Sequence, residues 1–351
     1  MKFVVVSDAV PSFNFSRIRP LFSLLRYNFP MSRLLLIDGH AIAHRAYHSI
    51  PPLTSNGQPV NLIYGFYSMF LSAINQLQPK YVIVCLDSPG PVFRNQDFIG
   101  YRAKRPPADQ NLVVQLPQLK DSLDRAHISN SALTNYEADD LIATLARQSL
   151  KRRHPKSKKP LIDKVTIITG DKDLMQLVTS KIEIFMPIRG LSQTQTFHPK
   201  DVTEKLGVKP NQVVDLKALM GDSSDNYPGV TGVGPKTATR LLLDYGHLDN
   251  IYRHLEDIAP AVRARLEKDK DNAYLSQKLA QLVDDAPVKL SLKKARWSSR
   301  QTDSLIELFQ SYNFRSLISR LNKAHPDLNP AKITSSPASS SKKPSLQTSL
   351  F

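Results

Sequence analysis

A single cysteine, Cys85, leaves nothing for an internal disulfide or a cysteine-rich zinc site in a chain of 351 residues. It lies in the apolar run Tyr81 to Leu86 and reads as a small core side chain. Long apolar runs are missing as well. No stretch approaches the ~20 residues that span a bilayer, so a soluble protein of a reducing compartment, without membrane contact, is expected. Acidic residues are scarce: Asp+Glu 31 against Lys+Arg 47 leaves a formal charge of +16. A charge of that sign and size points to a polyanionic partner, nucleic acid in the simplest case, although membrane-surface binders are also basic. What remains is ordinary: 41% hydrophobic and 22% charged residues suit a globular chain with a sizeable core, in one large domain or two.

Residues 1–30 carry Lys2, Arg17, Arg19 and Arg26 against the lone acid Asp8 and show no sustained periodicity. They read either as an organellar transit peptide or as an extension upstream of a start at Met31, which opens directly onto Leu34–Ile37. From 31 onward, apolar strands alternate with amphipathic helices. Strands are expected at 34–37, 81–86, 165–169 and 181–185, and helices at 64–77, 109–126 and 137–150. That alternation predicts an α/β domain over 31–198 with a parallel sheet, whose strands read as continuous apolar runs because both faces are covered. Residues 199–322 are expected to be helical with glycine-rich turns. Residues 323–351, rich in Ser, Pro and Lys, cannot bury a core and are expected to be disordered.

The scarce acids are concentrated. Asp38, Asp87 and the pair Asp171 and Asp173 each follow an apolar strand. In a parallel sheet such positions converge on one edge, where sites form. One strand-end Asp is ordinarily a helix N-cap, but repeated cases with further acids nearby ask for more. Glu137, Asp139 and Asp140 open a helix together; they favour its dipole yet repel one another, and a cation would relieve that repulsion. Glu137 and Asp140 share a helix face, and Asp139 points elsewhere. Asp222 and Asp225 follow in a turn-rich segment. Oxygen donors without cysteine suit Mg²⁺ or Mn²⁺, and two such ions ~4 Å apart can activate water against a phosphodiester.

Gly229 to Ala238 places Gly232, Gly234, Lys236 and Thr237 at the start of a helix. Backbone N–H groups there suit a phosphate, and Pro235 suits the first turn. The pattern is a helix–hairpin–helix, which holds a backbone without reading bases; a plain glycine-rich turn is the structural alternative, and a Walker A loop is excluded by the missing Gly-Lys-Ser/Thr ending. Residues 93–107 interleave Arg94, Arg102, Lys104 and Arg105 with aromatics such as Tyr101, as a nucleic-acid contact or a solvated loop. The stretch 151–159 reads as a basic, solvated insertion, with further DNA contact as the other reading.

The runs Ala46 to Thr54, Tyr136 to Asp140, Thr169 to Asp173 and Gly221 to Asn226 resemble the 5′→3′ exonuclease domain of bacterial DNA polymerase I, in the flap endonuclease superfamily. The resemblance covers roughly residues 31–322. It implies a PIN-like α/β nuclease core over 31–198 with a helical arch near 93–125, and a helix-three-turn-helix DNA-binding region over 199–322. It implies that Asp38, Asp87, Glu137, Asp139 and Asp140 serve one metal cluster, and that Asp171, Asp173, Asp222 and Asp225 complete the second. Arg94, Arg102 and Arg105 would polarise the scissile phosphate and grip a threaded strand; Arg45, Tyr101 and Lys104 would contact DNA. The hairpin would bind duplex backbone and hold a K⁺ ion. The sequence departs from the family in placing Arg102 where Lys is frequent, and guanidinium and ammonium are not equivalent; His44 replaces a Tyr before Arg45.

The resemblance further implies a monomeric, metal-dependent 5′→3′ exonuclease and flap endonuclease. It would act on 5′ flaps, nicks and RNA primers in replication and repair, in the bacterial cytoplasm at the nucleoid. Too few residues follow 322 for a polymerase, so a standalone enzyme is expected. The ending Gln347-Thr348-Ser349-Leu350-Phe351 resembles the Gln-x-x-Leu-Phe peptide that docks sliding clamps, or is a frayed terminus. A non-catalytic DNA- or clamp-binding scaffold and a PIN-type ribonuclease are the alternatives; the second lacks the hairpin and the basic segment.

Overall fold

The computed structural model describes residues 31–189 and 193–324. The first half runs β1 (Arg33–Asp38), α1 (Gly39–Ser49), a small hairpin of β2 (Thr54–Ser55) and β3 (Gln58–Pro59), α2 (Asn61–Leu77) and β4 (Tyr81–Cys85). It continues through α3 (Phe93–Asp97), α4 (Gln110–Arg125), β5 (Asn130–Ser131), α5 (Ala138–Lys151), β6 (Lys164–Ile168), β7 (Ile182–Arg189) and β8 (Gln193–Phe197). The helices that follow are α6 (Pro199–Leu206), α7 (Val213–Met220), α8 (Pro235–Tyr245), α9 (Leu248–Arg253), α10 (Pro260–Lys268) and α11 (Lys270–Ala280). Last come α12 (Leu292–Ala295), α13 (Ser299–Ser311) and α14 (Arg315–Ala324).

The sheet has six strands in the order β5-β4-β1-β6-β7-β8. All pairings are parallel except β7 with β8. The strand order reverses beside β1: β4 and β5 lie to one side, β6 and β7 to the other. Such a switch point opens a crevice at the carboxyl ends of the strands, and those ends carry Asp38, Asp87 and Asp171. The parallel strands β1, β4, β6 and β7 match the apolar runs, as expected; the two-residue β5, also parallel, was not among them. The edge strand β8 does not match one: Gln193 and Gln195 are exposed while Phe197 is buried. Its half-solvated alternation leaves no continuous run to find.

Residues of β1 divide the core by their alternation. Leu34 and Leu36 face one side with α5 and the helices after β8. Leu35 and Ile37 face the other, against Phe66, Tyr67 and Phe70 of α2. The last part of the chain returns to the α/β core. Thr144 Oγ1 donates to the Val283 carbonyl (3.2 Å), Gln148 Nε2 to Val288 (2.7 Å), and the Trp297 amide to Lys80 (3.0 Å). Leu305, Phe309 and Leu317 of α13 and α14 then pack in the α2 layer. The helical stretch expected over 199–322 is thus split between both faces of the sheet. Between α13 and α14 the chain breaks at Asn313, whose φ of 57° ends a right-handed helix.

Among the described residues no helix is long and apolar enough to cross a membrane. The stretch 1–30 and the tail with Gln347, Leu350 and Phe351 lie outside the described residues.

Candidate acidic active site

Asp38 closes β1 and caps α1. Its side chain accepts from the Ala41 amide (2.9 Å) and from Thr169 Oγ1 (2.8 Å), which ties β1 to β6. Asp87 follows β4; one oxygen accepts from the Ala138 amide (2.7 Å) and so caps α5, and the other lies 3.7 Å from His40 Nδ1. Asp139 in the first turn of α5 and Asp171 after β6 complete the ring. These four carboxylates line one cavity of about 230 Å³ together with His40, Glu137, Arg102 and Arg105. Asp139 has no hydrogen-bond or ion-pair partner among the described residues, which leaves it open as a ligand.

The second centre joins Asp173, Asp222 and Asp225, whose oxygens lie within 4.8 Å of one another. Lys217 of α7 ion-pairs with both Asp173 and Asp222. Burial would raise Asp222, but the Lys217 ammonium and the Ser224 hydroxyl hold it at about 2. Lys217 was not anticipated from the sequence; its signal was a lone cation inside the apolar stretch Leu216 to Met220. A second cleft of about 560 Å³ connects this centre to Arg45, Gly170 and Lys172, and shares Asp171 with the first cavity.

Two further acids expected as ligands, Glu137 and Asp140, are paired with arginine. Asp140 is buried, and each of its oxygens accepts an Arg94 N–H at 2.8 Å. The same oxygens take the amides of Val283 (3.0 Å) and Glu137 (3.2 Å). Glu137 receives Arg94 Nη1 (2.8 Å), the Tyr101 hydroxyl (3.1 Å) and an ion pair from Arg102. Arg94, expected at the scissile phosphate, is 1% exposed. Its remaining N–H groups reach the carbonyls of Leu279 (2.9 Å) and Gln281 (3.1 Å), so no donor is left for a phosphate. Tyr101, expected on DNA, is buried and stacks on Tyr227 with centroids 6.5 Å apart. Only tertiary packing decides these cases, because sequence spacing gives the helix face but not what covers it.

Arg102 and Arg105 both line the first cavity. Arg102 holds a φ of 58°, and its side chain bridges Glu137 to Asp225. Arg105 Nη2 donates to Asp225 (2.5 Å) while its side chain stays 47% exposed. The loop that carries them presents Lys104 and Ile99 to solvent; Ile99 is 94% exposed.

Burial pushes Asp38 up to about 7, with Asp87 and Asp171 adding to the effect, and pushes Asp173 up to about 6, with Asp171 adding. Asp139 is raised well above the carboxylate range by burial, then by Asp38 and Asp171. The cluster thus holds more negative charge than its surroundings neutralise, and its donors are all oxygen. Both features fit a hard divalent cation. A carboxylate raised in the folded state binds a proton there that the unfolded chain releases, so stability falls as pH rises from about 4 to about 7. Added Mg²⁺ should therefore raise the unfolding temperature strongly above pH 7 and scarcely at pH 5, where protons already occupy the site. Equal Mg²⁺ stabilisation at both values, read by differential scanning calorimetry, would contradict the assignment.

The hairpin lies between α7 and α8. Gly234 caps α8 in extended backbone, Pro235 opens it, and Lys236 is exposed beside it, with Thr237 half-buried. Gly232 has φ 77°, and its carbonyl accepts from Arg265 Nη1 (2.8 Å). Gly229 lies backbone to backbone against Gly221: an added Cβ would sit 2.2 Å from the Gly221 nitrogen and 2.3 Å from the Met220 carbonyl carbon. Gly229→Ala should cost about 1–3 kcal/mol in thermal unfolding by forcing these two backbone segments apart. Gly234→Ala, where nothing lies within 4 Å, should leave the midpoint unchanged. The reverse order would refute this packing.

The geometry defines an α/β protein with two adjoining acidic centres at the carboxyl edge of its sheet and a helix–hairpin–helix beside them. The family model described as 5′-3′ exonuclease, N-terminal resolvase-like domain, matches residues 33–207, and that described as 5′-3′ exonuclease, C-terminal SAM fold, matches residues 208–303. The chain belongs to the 5′→3′ exonuclease family. It is 38% identical over 292 residues to DNA polymerase I of Caldicellulosiruptor bescii, covering 82% of this chain and 33% of that protein. With DNA polymerase I of Bacillus subtilis it shares 33% over 293 residues, 83% of this chain and 32% of the other. The chain spans about a third of the length of the curated relatives it matches. Its fold is similar to phage T5 5′-exonuclease with bound zinc, at TM-score 0.58 and 22% identity, covering 84% of this chain and 98% of that one. It is also similar to the catalytic core of Rad2 with a DNA substrate, at TM-score 0.53 and 15% identity, covering 85% and 92%.

Proposed function

We propose that this chain hydrolyses phosphodiester bonds as a divalent-metal-dependent 5′→3′ exonuclease and 5′-flap endonuclease, acting on flaps, nicks and RNA primers in replication and repair. One observation carries the reading: Asp38, Asp87, Asp139 and Asp171 line the same small cavity as Arg102 and Arg105. A scaffold that only bound DNA would gain nothing from burying like charges opposite a polyanion. That T5 exonuclease and Rad2 were solved with metal ions and with DNA supports the same reading.

In this reading Asp38, Asp87, Asp139 and Asp171 hold the first ion, and Asp173, Asp222 and Asp225 hold the second. When bound, Mg²⁺ or Mn²⁺ activates water and stabilises the leaving oxygen. Arg102 and Arg105 exchange their ion pairs with Glu137 and Asp225 for the scissile phosphate, which places two guanidinium groups on the charge that develops there. Lys217 neutralises Asp173 and Asp222, the acids that would hold the second ion. Lys236 and the hairpin amides grip duplex backbone without reading bases, and a K⁺ ion at that turn belongs to the same proposal. Arg45 and Lys104 extend the cationic surface around the cleft. A sliding clamp bound through Gln347, Leu350 and Phe351, a monomeric state and a bacterial cytoplasmic setting complete the proposal.

The test is direct. The protein should cut a 5′-flap duplex near the junction with Mg²⁺ and not with EDTA. Absence of cutting would overturn the enzyme reading; cutting in EDTA would overturn the metal.

A further inference from the structure

A cleft of about 690 Å³ runs along the β5 edge of the sheet, apart from the acidic centres. Lys293, Lys294, Arg296, Arg300 and His127 line it, with Asp124 as the single acid among its lining residues. Asp124 is already engaged by Lys120 (2.7 Å) and by Asn130 (2.7 Å). None of the four Lys and Arg side chains in the cleft has an ion pair among the described residues, and all are exposed. A monomer that leaves four cations together unneutralised bears a repulsion that a polyanion would relieve.

The cations stand on a fixed frame. Arg296 bridges to Tyr81 at the start of β4, and the Trp297 amide donates to the Lys80 carbonyl (3.0 Å). Arg300 Nη2 reaches His127 Nε2 (3.2 Å), and Gln301 Nε2 the His127 carbonyl (3.2 Å). Arg152 donates to the Leu290 carbonyl (3.4 Å), which brings the basic 151–159 loop against the same segment just ahead of Lys293. No Phe, Tyr or Trp lines the cleft, His127 is held by Arg300 at its ring and by Gln301 at its carbonyl, and Ile128 is the only large apolar residue. Base stacking therefore has no platform here, and charge is what the surface offers.

We propose that this cleft is a second nucleic-acid contact, one that takes the phosphodiester backbone of the substrate. The proposal rests on the nuclease reading above. β5 is one edge of the sheet, while the hairpin follows α7, which packs on the turn after β6. Two backbone grips separated in this way fix the angle of a substrate that either grip alone would let swing. Binding here is independent of sequence, because phosphates carry no base identity.

The test uses the full chain, a fluorescent 5′-flap duplex and EDTA, with affinity measured by anisotropy across a salt series. Replacing Lys293, Lys294 and Arg300 together by Ala should make the slope of log affinity against log salt shallower by about 2–3, at ~0.9 for each phosphate no longer neutralised. Lys236→Ala in the hairpin should independently remove about 1. The charge-preserving set Lys293→Arg, Lys294→Arg and Arg300→Lys should keep the wild-type slope. With Mg²⁺, the triple Ala variant should show a raised KM and an unchanged kcat. An unchanged slope in that variant, beside a shifted slope for Lys236→Ala, would overturn this contact and leave the nuclease reading intact. A wild type that neither binds nor cuts the flap would overturn both.

Discussion

Asp171→Asn should reduce cleavage of a 5′-flap duplex by on the order of 10³-fold, about 4 kcal/mol of transition-state stabilisation. Asp171 borders both the first cavity and the cleft leading to the second centre. It is also the carboxylate whose charge raises Asp38, Asp139 and Asp173 together. An Asn keeps the oxygen that accepts from the Asp173 amide (2.8 Å), so the turn after β6 should survive. Only the charge is lost. Metal-free protein should accordingly gain stability above pH 7, since Asp38 and Asp139 then ionise against one fewer like charge. The two readouts move in opposite directions, activity down and apo stability up, and a merely structural residue would not do that. Single-turnover cleavage and calorimetry without metal measure them. Cleavage within a few-fold of wild type would remove Asp171 from the site, and a lower apo melting temperature would remove the like-charge argument.

The edge of the sheet was legible in the sequence because parallel strands converge there whatever their order. Asp38, Asp87 and Asp171 needed only an apolar run before them to be placed together. The hairpin was legible for a similar reason, since Gly232, Gly234 and Pro235 each have a local conformational role. Legibility failed where the partner, rather than the element, decides. Glu137 and Asp140 do share a face of α5, but nothing local says that Arg94, more than forty positions earlier, covers that face. Tyr101 resembled a stacking platform beside arginines, yet burial turns it into a hydrogen-bond bridge between Glu137 and Asp225. Lys217 fell outside every acidic box and still neutralises two of them. Neither was the split of the C-terminal helices between the faces of the sheet visible, because periodicity gives a helix its apolar stripe and not its destination.

Arg94→Met should lower the unfolding free energy by about 3–5 kcal/mol, because it strands Asp140 as a buried, unpaired charge. Further loss comes from the Leu279 and Gln281 carbonyls, at ~1–3 kcal/mol for each acceptor left unsatisfied. Burial alone would lower the arginine pKa; the hydrogen bonds and charges of Asp140 and Glu137 overcome it and hold the guanidinium above its ordinary value. Arg94→Lys should recover only part of the loss, since an ammonium cannot span both Asp140 oxygens and two carbonyls at once. Arg94→Met with Asp140→Leu should be more stable than Arg94→Met alone, because the second change removes the stranded charge. Urea midpoints of the three variants test this order. The result also separates two roles for the residue. A phosphate-binding Arg94 would give a well-folded Arg94→Met variant with impaired turnover, whereas the observed packing predicts a chain that unfolds early and retains turnover in proportion to its folded fraction. If Arg94→Met melts like the wild type, the clamp between α3, α5 and the end of α11 is not what holds the first acidic centre in place.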